Sequence, residues 1–288
     1  MRGESYKKML AISKFVNMIS FPNCKINLGL NIISRREDGY HEISSVMYPI
    51  EIQDILEVIQ SEKLKFTSSG LDIPGGLETN LCVKAYRILA REFNISPVHI
   101  HLYKNIPMGA GLGGGSADGA FALKLINDLY DLNISNDQLK KYASELGSDC
   151  AFFIDNIPQH ASGRGEVLAP YNVALNGKTI VLINDGTHIS TQEAYSNVTP
   201  QSPDNDLQEI LKKPINEWRG LLVNDFEKGI FKNQPQLAEY IDKLYESGAI
   251  YAAMTGSGST VFGIFNDSPE LHPNLQNLPG FVKKLKLK

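Results

Sequence analysis

A two-domain α+β protein is predicted by three features of the chain. Its 288 residues are about twice the ~150 that one domain commonly takes. Strand-like and helix-like segments follow one another irregularly, without the repeated strand–helix–strand units of a parallel α/β sheet. A dense glycine cluster, PMGAGLGGGSADG, stands between one predicted strand and one predicted helix. With 42% apolar and 21% charged residues and a formal charge of −4, the composition fits a soluble globular protein. No basic excess is present to neutralise a run of phosphates, which argues against extended nucleic-acid binding and leaves a small ligand.

Residues 24–33, CKINLGLNII, alternate apolar and polar side chains and read as a strand closed by the turn-rich RREDGY. VMYPIEI and DILEVIQ are short, β-rich runs and give two more strands. Leu81, Ala85, Ile88 and Leu89 have helical spacing within residues 80–93, and VHIHLYK then alternates cleanly as a strand. After the glycine cluster, Ala122, Leu125, Ile126 and Leu129 mark an amphipathic helix with Ser116 as its expected N-cap. A second helix, capped by Asn136, is expected to stop at Gly147, and SDCAFFI to begin a buried strand. A boundary near Pro170 divides the chain into domains at 18–172 and 173–288. In the second, KTIVLIND reads as a strand, and residues 207–212, 218–230 and 236–246 as helices. Two β-rich runs flank the turn TGSGS, and FVKKLKL closes the chain. That content predicts helices on one side of an antiparallel sheet.

The glycine cluster carries the chemistry. Five glycines between 109 and 115 let backbone N–H groups approach a ligand closely, and the following helix adds the partial positive charge of its N-terminus, so a nucleotide phosphate fits. Gly109, Gly111 and Gly114 satisfy GxGxxG, but the surrounding elements are not those of a dinucleotide-binding unit. The P-loop pattern fails because Gly115 stands where its lysine belongs, and protein-kinase signatures are absent.

The form P-x-G-x-G-L-G-G-G-S resembles the ATP-binding motif of the GHMP kinases. FPNCKINLGLNIISRREDGYHEISSVMYPI, KNIPMGAGLGGGSADGA, ELGSDCAFFI and TGSGSTVF extend the resemblance over residues 18–288. They point to the branch that phosphorylates a sugar alcohol carried on cytidine diphosphate, a step toward isoprenoid precursors. The resemblance implies a fold with a ribosomal-protein-S5-domain-2-like N-terminal domain and a ferredoxin-like C-terminal domain. It also implies ATP as co-substrate, Mg²⁺, and transfer of the γ-phosphoryl group to a hydroxyl, a reaction governed by positioning and charge stabilisation.

Residue by residue, Asp149 matches the family's catalytic base and Lys25 the lysine that stabilises charge at the attacking oxygen. Pro107, Met108, Gly109, Ala110, Gly111, Leu112, Gly113, Gly114, Gly115 and Ser116 match the ATP-binding loop. The Ser116 hydroxyl is expected at a phosphate or at Mg²⁺. Asn80 and Lys104 match positions that meet the adenine. Asn27, two residues from Lys25 and so on the same strand face, matches a substrate-binding position. Tyr40 and His41, in DGYH, match residues that grip the cytidine end, with Tyr195 supplying the other side of an aromatic sandwich. Asp118 departs from the family's asparagine; binding Mg²⁺, binding a nucleotide hydroxyl and capping the helix all stay open for it.

Two alternatives stand beside this reading: a GHMP kinase for another alcohol of homoserine or mevalonate type, and a non-catalytic ATP-binding regulator. DGYH argues against the first, since a substrate without a base has no use for an aromatic clamp. Retention of both Lys25 and Asp149 argues against the second. Three widely spaced cysteines and the lack of a long apolar run predict a cytoplasmic protein without a membrane partner; nucleic-acid partners are not expected, and a monomer or a homodimer is expected without a sequence feature that decides between them. Residues 1–17 read as an extension, with Met18 a plausible start.

Overall fold

Three four-stranded sheets organise the computed structural model, which describes residues 18–276 and 278–287. The expected extension, residues 1–17, lies outside the described residues. In chain order the first elements are β1 (Ile19–Ser20), β2 (Asn23–Arg35), β3 (His41–Gln53), β4 (Ile55–Gln60), β5 (Lys65–Gly70), α1 (Leu81–Phe93), β6 (Val98–Lys104), α2 (Gly114–Leu129) and α3 (Asn136–Leu146). Next come α4 (Phe152–Asp155), β7 (Gln159–Ser162), β8 (Val167–Pro170), β9 (Thr179–Asn184), α5 (Thr191–Ser196) and α6 (Leu207–Leu211). The last are α7 (Glu227–Asn233), α8 (Pro235–Glu246), β10 (Tyr251–Met254), β11 (Val261–Phe265), α9 (Pro273–Gln276) and β12 (Phe281–Lys286).

Contacts divide the chain into two compact units that do not follow chain order. One contains residues 18–24, 52–108 and 113–156; the other contains 25–51, 109–112 and the described residues from 157 onward. In the first unit the sheet order is β1-β4-β6-β5, antiparallel except where β5 runs parallel to β6. The buried side chains Leu56, Val58, Ile100 and Leu102 of this sheet and Val83, Leu89, Leu123 and Ile126 of α1 and α2 supply its core. Each apolar helix stripe recurs at the i, i+3, i+4 spacing that the sequence displays.

The second unit holds most of the sheet β2-β3-β7-β8 and all of the sheet β10-β11-β9-β12. The latter is antiparallel throughout and is built from a β-α-β-β-α-β succession, the ferredoxin-like arrangement expected for the C-terminal part. Val181, Ile183, Val261, Phe265 and Leu244 bury one cluster there, and Leu30, Ile32 and Ile43 of β2 and β3 belong to it. The predicted boundary at 172/173 falls between β8 and β9, where the chain leaves one sheet for the next.

Local differences from the sequence reading have simple causes. SDCAFFI forms the short helix α4 instead of a strand, because an apolar run buried on all sides has no period to distinguish the two. Helix α3 is capped by Ser135, whose hydroxyl accepts from Gln138 N, with Asn136 already helical. Helix α2 begins before Ser116: Gly113, at φ 68°, turns the loop directly into the helix, and its carbonyl accepts from Ala117 N at 2.9 Å. Of residues 218–230 only those from Glu227 on are helical, since Trp218 ends a tight 3₁₀ turn.

Candidate active site

Strand β2 presents a polar face that is as buried as its apolar one. Lys25 is 3% and Asn27 2% exposed, so the alternation places their side chains in a closed polar network. Lys25 Nζ donates to Asn27 Oδ1 at 2.5 Å and to the carbonyl of Gly111 at 3.2 Å. Asn27 Nδ2 donates to Ser45 Oγ at 2.8 Å, and Ser45 Oγ to the Gly29 carbonyl at 2.6 Å. From the backbone, Lys25 N donates to Leu112 O at 3.0 Å and Asn27 N to Thr255 Oγ1 at 2.9 Å. The expected pairing of Lys25 with Asn27 on one face is thus present, and Ser45 and Thr255 join it.

Within the glycine-rich loop, Gly109, Gly111 and Gly113 take φ values of 64°, 76° and 68°. Left-handed backbone at every second position turns successive N–H groups toward one side, the geometry of an anion-binding nest. Residues 109–112 lie in the second unit: Thr260 N donates to Ala110 O at 3.3 Å, and a Cβ on Gly111 would fall 2.1 Å from Thr255 O. Only glycine permits that approach. A Cβ on Gly109 would fall 2.8 Å from the His188 ring, a neighbour that no sequence pattern marked.

In the first unit, Met108 packs beside Gly115, and a Cβ on Gly114 would fall 3.1 Å from Lys104 Nζ. That ammonium is fully buried and committed to two carboxylates, Asp54 Oδ2 at 2.5 Å and Asp118 Oδ2 at 2.6 Å. Asp54 Oδ1 accepts from the N–H groups of Asn105 and Ile106. Burial opposes the charge of Lys104, but Asp118 and Asp54 outweigh it and leave its pKa above the ordinary lysine value. Burial pushes Asp118 up to about 7 against the pull of Lys104, and Asp54 adds to the rise. The Asp118 side chain is engaged in an internal ion pair with Lys104, which is none of the three roles left open for it by the sequence.

Asn80 caps α1, its Oδ1 accepting from Cys82 N and Val83 N. Asp149 lies half-buried in the turn between α3 and α4. Its neighbour Cys150 is buried and hydrogen-bonded by Ser116; burial drives that thiol up to about 12, so it carries no thiolate chemistry. Ser116 therefore offers a hard hydroxyl oxygen in the first turn of α2, a donor suited to Mg²⁺ alongside phosphate oxygens. Among the described residues no group of three or more His, Cys, Asp or Glu could hold a metal ion.

His41, Tyr195 and Phe226 lie together in the second unit. His41 stacks on Tyr195 with ring centroids 4.7 Å apart, and Tyr195 meets Phe226 edge-on. Tyr40 is 55% exposed, with the Arg164 guanidinium 4.8 Å from its ring centroid. Burial, helped by Arg35, holds His41 below its ordinary pKa, so its neutral ring can donate from one nitrogen and accept at the other.

Two family models match the chain: GHMP kinases N terminal domain over residues 80–157 and GHMP kinases C terminal over residues 206–272. The chain is 51% identical over 257 residues to the 4-diphosphocytidyl-2-C-methyl-D-erythritol kinase of Bacteroides fragilis, covering 88% of this chain and 93% of that one. The enzyme of the same name from Cytophaga hutchinsonii is 48% identical over 270 residues, 93% of this chain and all of its own length. A crystal structure of 4-(cytidine 5'-diphospho)-2C-methyl-D-erythritol kinase superposes with a TM-score of 0.72 at 33% identity, covering 86% and 90% of the two chains. Mevalonate kinase of Methanococcus jannaschii shares the fold alone, with a TM-score of 0.63 at 13% identity over 94% of this chain and 98% of that one.

Proposed function

We propose, from the premise that this chain belongs to the GHMP kinases and is therefore an ATP-dependent small-molecule kinase, that it phosphorylates the 2-hydroxyl of 4-diphosphocytidyl-2-C-methyl-D-erythritol. The observation that carries this is the buried Lys25 ammonium, hydrogen-bonded at once to Asn27 and to the Gly111 carbonyl of the glycine-rich loop. A cation fixed on the backbone of a phosphate-binding nest is placed to stabilise charge developing during phosphoryl transfer.

Asp149 takes the hydroxyl proton as general base, and Asn27 orients the alcohol. Residues 107–116 cradle the triphosphate through their N–H groups and the start of α2. The Ser116 hydroxyl would hold a Mg²⁺ ion brought with ATP, which would supply neutralisation of phosphate charge. Asn80 meets the adenine through its amide, whereas Lys104, committed to Asp54 and Asp118, supports the loop from beneath instead of offering its charge to the base. Tyr40 stacks on the cytosine, His41 reads its edge, and Tyr195 backs His41.

Purified protein incubated with γ-labelled ATP and this substrate is expected to transfer label to it at least about 10²-fold faster than to mevalonate or homoserine. Asp149→Ala is expected to retain ATP binding and lose turnover by about 10² or more. Absence of transfer at saturating substrates would overturn the assignment.

A further inference from the structure

Residues 223–227, VNDFE, lie outside regular structure until α7 begins, yet they are bound tightly to strand β2. Leu30 N donates to Val223 O at 2.9 Å and Asp225 N to Leu30 O at 2.9 Å, so the segment pairs with the strand that carries Lys25 and Asn27. Asp225 secures that pairing by accepting from Ile32 N at 2.7 Å. Asn224, between these contacts, is 3% exposed and turns its side chain the other way. Its Nδ2 has two hydrogens, and they go to the carbonyls of Met254 at 2.9 Å and Gly256 at 2.8 Å. Its Oδ1 accepts from Phe226 N at 3.1 Å, which fixes the amide orientation.

The two captured carbonyls flank Thr255, and Glu227 adds a third grip by accepting from Met254 N at 2.7 Å. Thr255 is fully buried, and it touches the phosphate-binding loop in two ways. Its hydroxyl accepts from Asn27 N and lies 3.4 Å from the Gly111 carbonyl, while its own carbonyl presses against the Gly111 α-carbon. The same Gly111 carbonyl accepts from Lys25 Nζ. A shift of Thr255 therefore moves the loop and the lysine together.

We propose that Asn224 is a positioning residue for phosphoryl transfer, its amide clamping the backbone on both sides of Thr255 so that Thr255 holds Gly111, Asn27 and Lys25 in one geometry. The assignment rests on the kinase reading for its kinetic consequence but not for its structural one. No other side chain replaces this amide: Asp has the shape without the donors, Ser has one donor, and Gln is a methylene too long for a fully packed site.

The test uses the intact protein carrying Asn224→Asp, Thr255→Val or both, with Asp225→Asn as the comparator that changes the charge beside Asn224, keeps an acceptor for Ile32 N and leaves the turn untouched. Amide exchange is read at Asn27, Thr255 and Thr260, and kcat and KM are read with ATP and the cytidine-diphosphate substrate. Asn224→Asp is expected to speed exchange at those amides at least about 10-fold and to lower kcat about 10–100-fold, with KM for the alcohol within about 3-fold. Thr255→Val is expected to lower kcat similarly, and the double variant to be no slower than the worse single one, as for residues acting through one contact. Asp225→Asn is expected to keep kcat within about 3-fold. Unchanged exchange in Asn224→Asp, a kcat loss no greater than that of Asp225→Asn, or full additivity in the double variant would each overturn the assignment. Should Asn224→Asp fail to fold, Asn224→Ser, which keeps one donor, is read for the same exchange and kinetics, and unchanged exchange in it would overturn the assignment. If the wild-type protein transfers no phosphate, the kinase reading fails while the exchange data still decide the clamp.

Discussion

The two stretches of the glycine-rich loop are supported by different chemistry. Residues 110–112 rest on the Thr255 hydroxyl, the backbone of Lys25 and Thr260, and the Lys25 ammonium, which donates to the Gly111 carbonyl. Gly114 rests above a charged cluster in which one ammonium, Lys104, serves two carboxylates, Asp54 and Asp118. A support made mainly of backbone and hydroxyl groups transmits position. A buried charged cluster binds strongly only when every member is compensated, and its balance shifts with protonation. Here the compensation is uneven: both Asp54 oxygens have donors, but Asp118 Oδ1 finds no hydrogen-bond partner among the described residues. One support is therefore expected to govern catalysis through geometry, and the other to govern stability through charge.

Removing the shared cation breaks the charged support most severely. Lys104→Met leaves two buried carboxylates facing each other and is expected to cost about 3–5 kcal/mol in denaturant unfolding at pH 7.5. A loss below about 1 kcal/mol would mean that the carboxylates protonate or hydrate freely and that the cluster is not the charged anchor described. At residues 110–112 the effect is smaller in stability and larger in rate. Gly111→Ala introduces a side chain at φ 76° where the Thr255 carbonyl already stands. About 1–3 kcal/mol of strain is expected, with kcat/KM for ATP falling about 10–100-fold at temperatures where the variant remains folded. Equal fractional losses of stability and activity in both variants would erase the distinction between the two supports.

How much of this was legible in the sequence depends on the range of each interaction. Strand β2 was legible because its alternation is local, and the same period put Lys25 and Asn27 on one face, where they hydrogen-bond. Helix α1 and strand β6 followed from equally local patterns. The glycine-rich loop announced an anion site, but not that Gly113 would start the helix ahead of Ser116, because Gly113 acts there through its left-handed backbone. Lys104 read as a candidate adenine contact; its partners Asp54 and Asp118 stand 50 and 14 positions away, and nothing in either local pattern links them. Asn224 fell within a stretch that read as helix, whereas its side chain works because the segment bridges to Leu30 of β2 before α7 begins. Periodicity reveals which face is buried, and it is silent about which distant polar group meets that face.

Asp118 offers the smallest and most selective way to separate the two supports. Its ordinary pKa is 3.8 and burial raises it to about 7, so between those values the folded protein retains a proton that the unfolded chain releases. Stability must then fall as pH rises through that window and level off above it. The charged and titratable groups facing Asp118 are Lys104 from β6, Asp54 from the turn before β4 and Cys82 from α1. Lys104 keeps its charge throughout the window, and the buried Cys82 thiol stays protonated because its pKa is raised well above the usual value. Buried Glu227, also raised to about 7, contributes a second fall of the same sign, and for that reason the comparison must be between wild type and variant. Asp118→Asn preserves shape, keeps an acceptor for Lys104 and removes one titration. Relative to wild type the variant is expected to gain about 2–3 kcal/mol of stability on going from pH 5 to pH 8, since about two pH units separate pH 5 from the folded-state pKa. Denaturant unfolding at both pH values measures it. A difference between the proteins that does not change with pH would show that Asp118 is ionised throughout, leaving Lys104 neutralised twice over and the loop's charged support insensitive to pH.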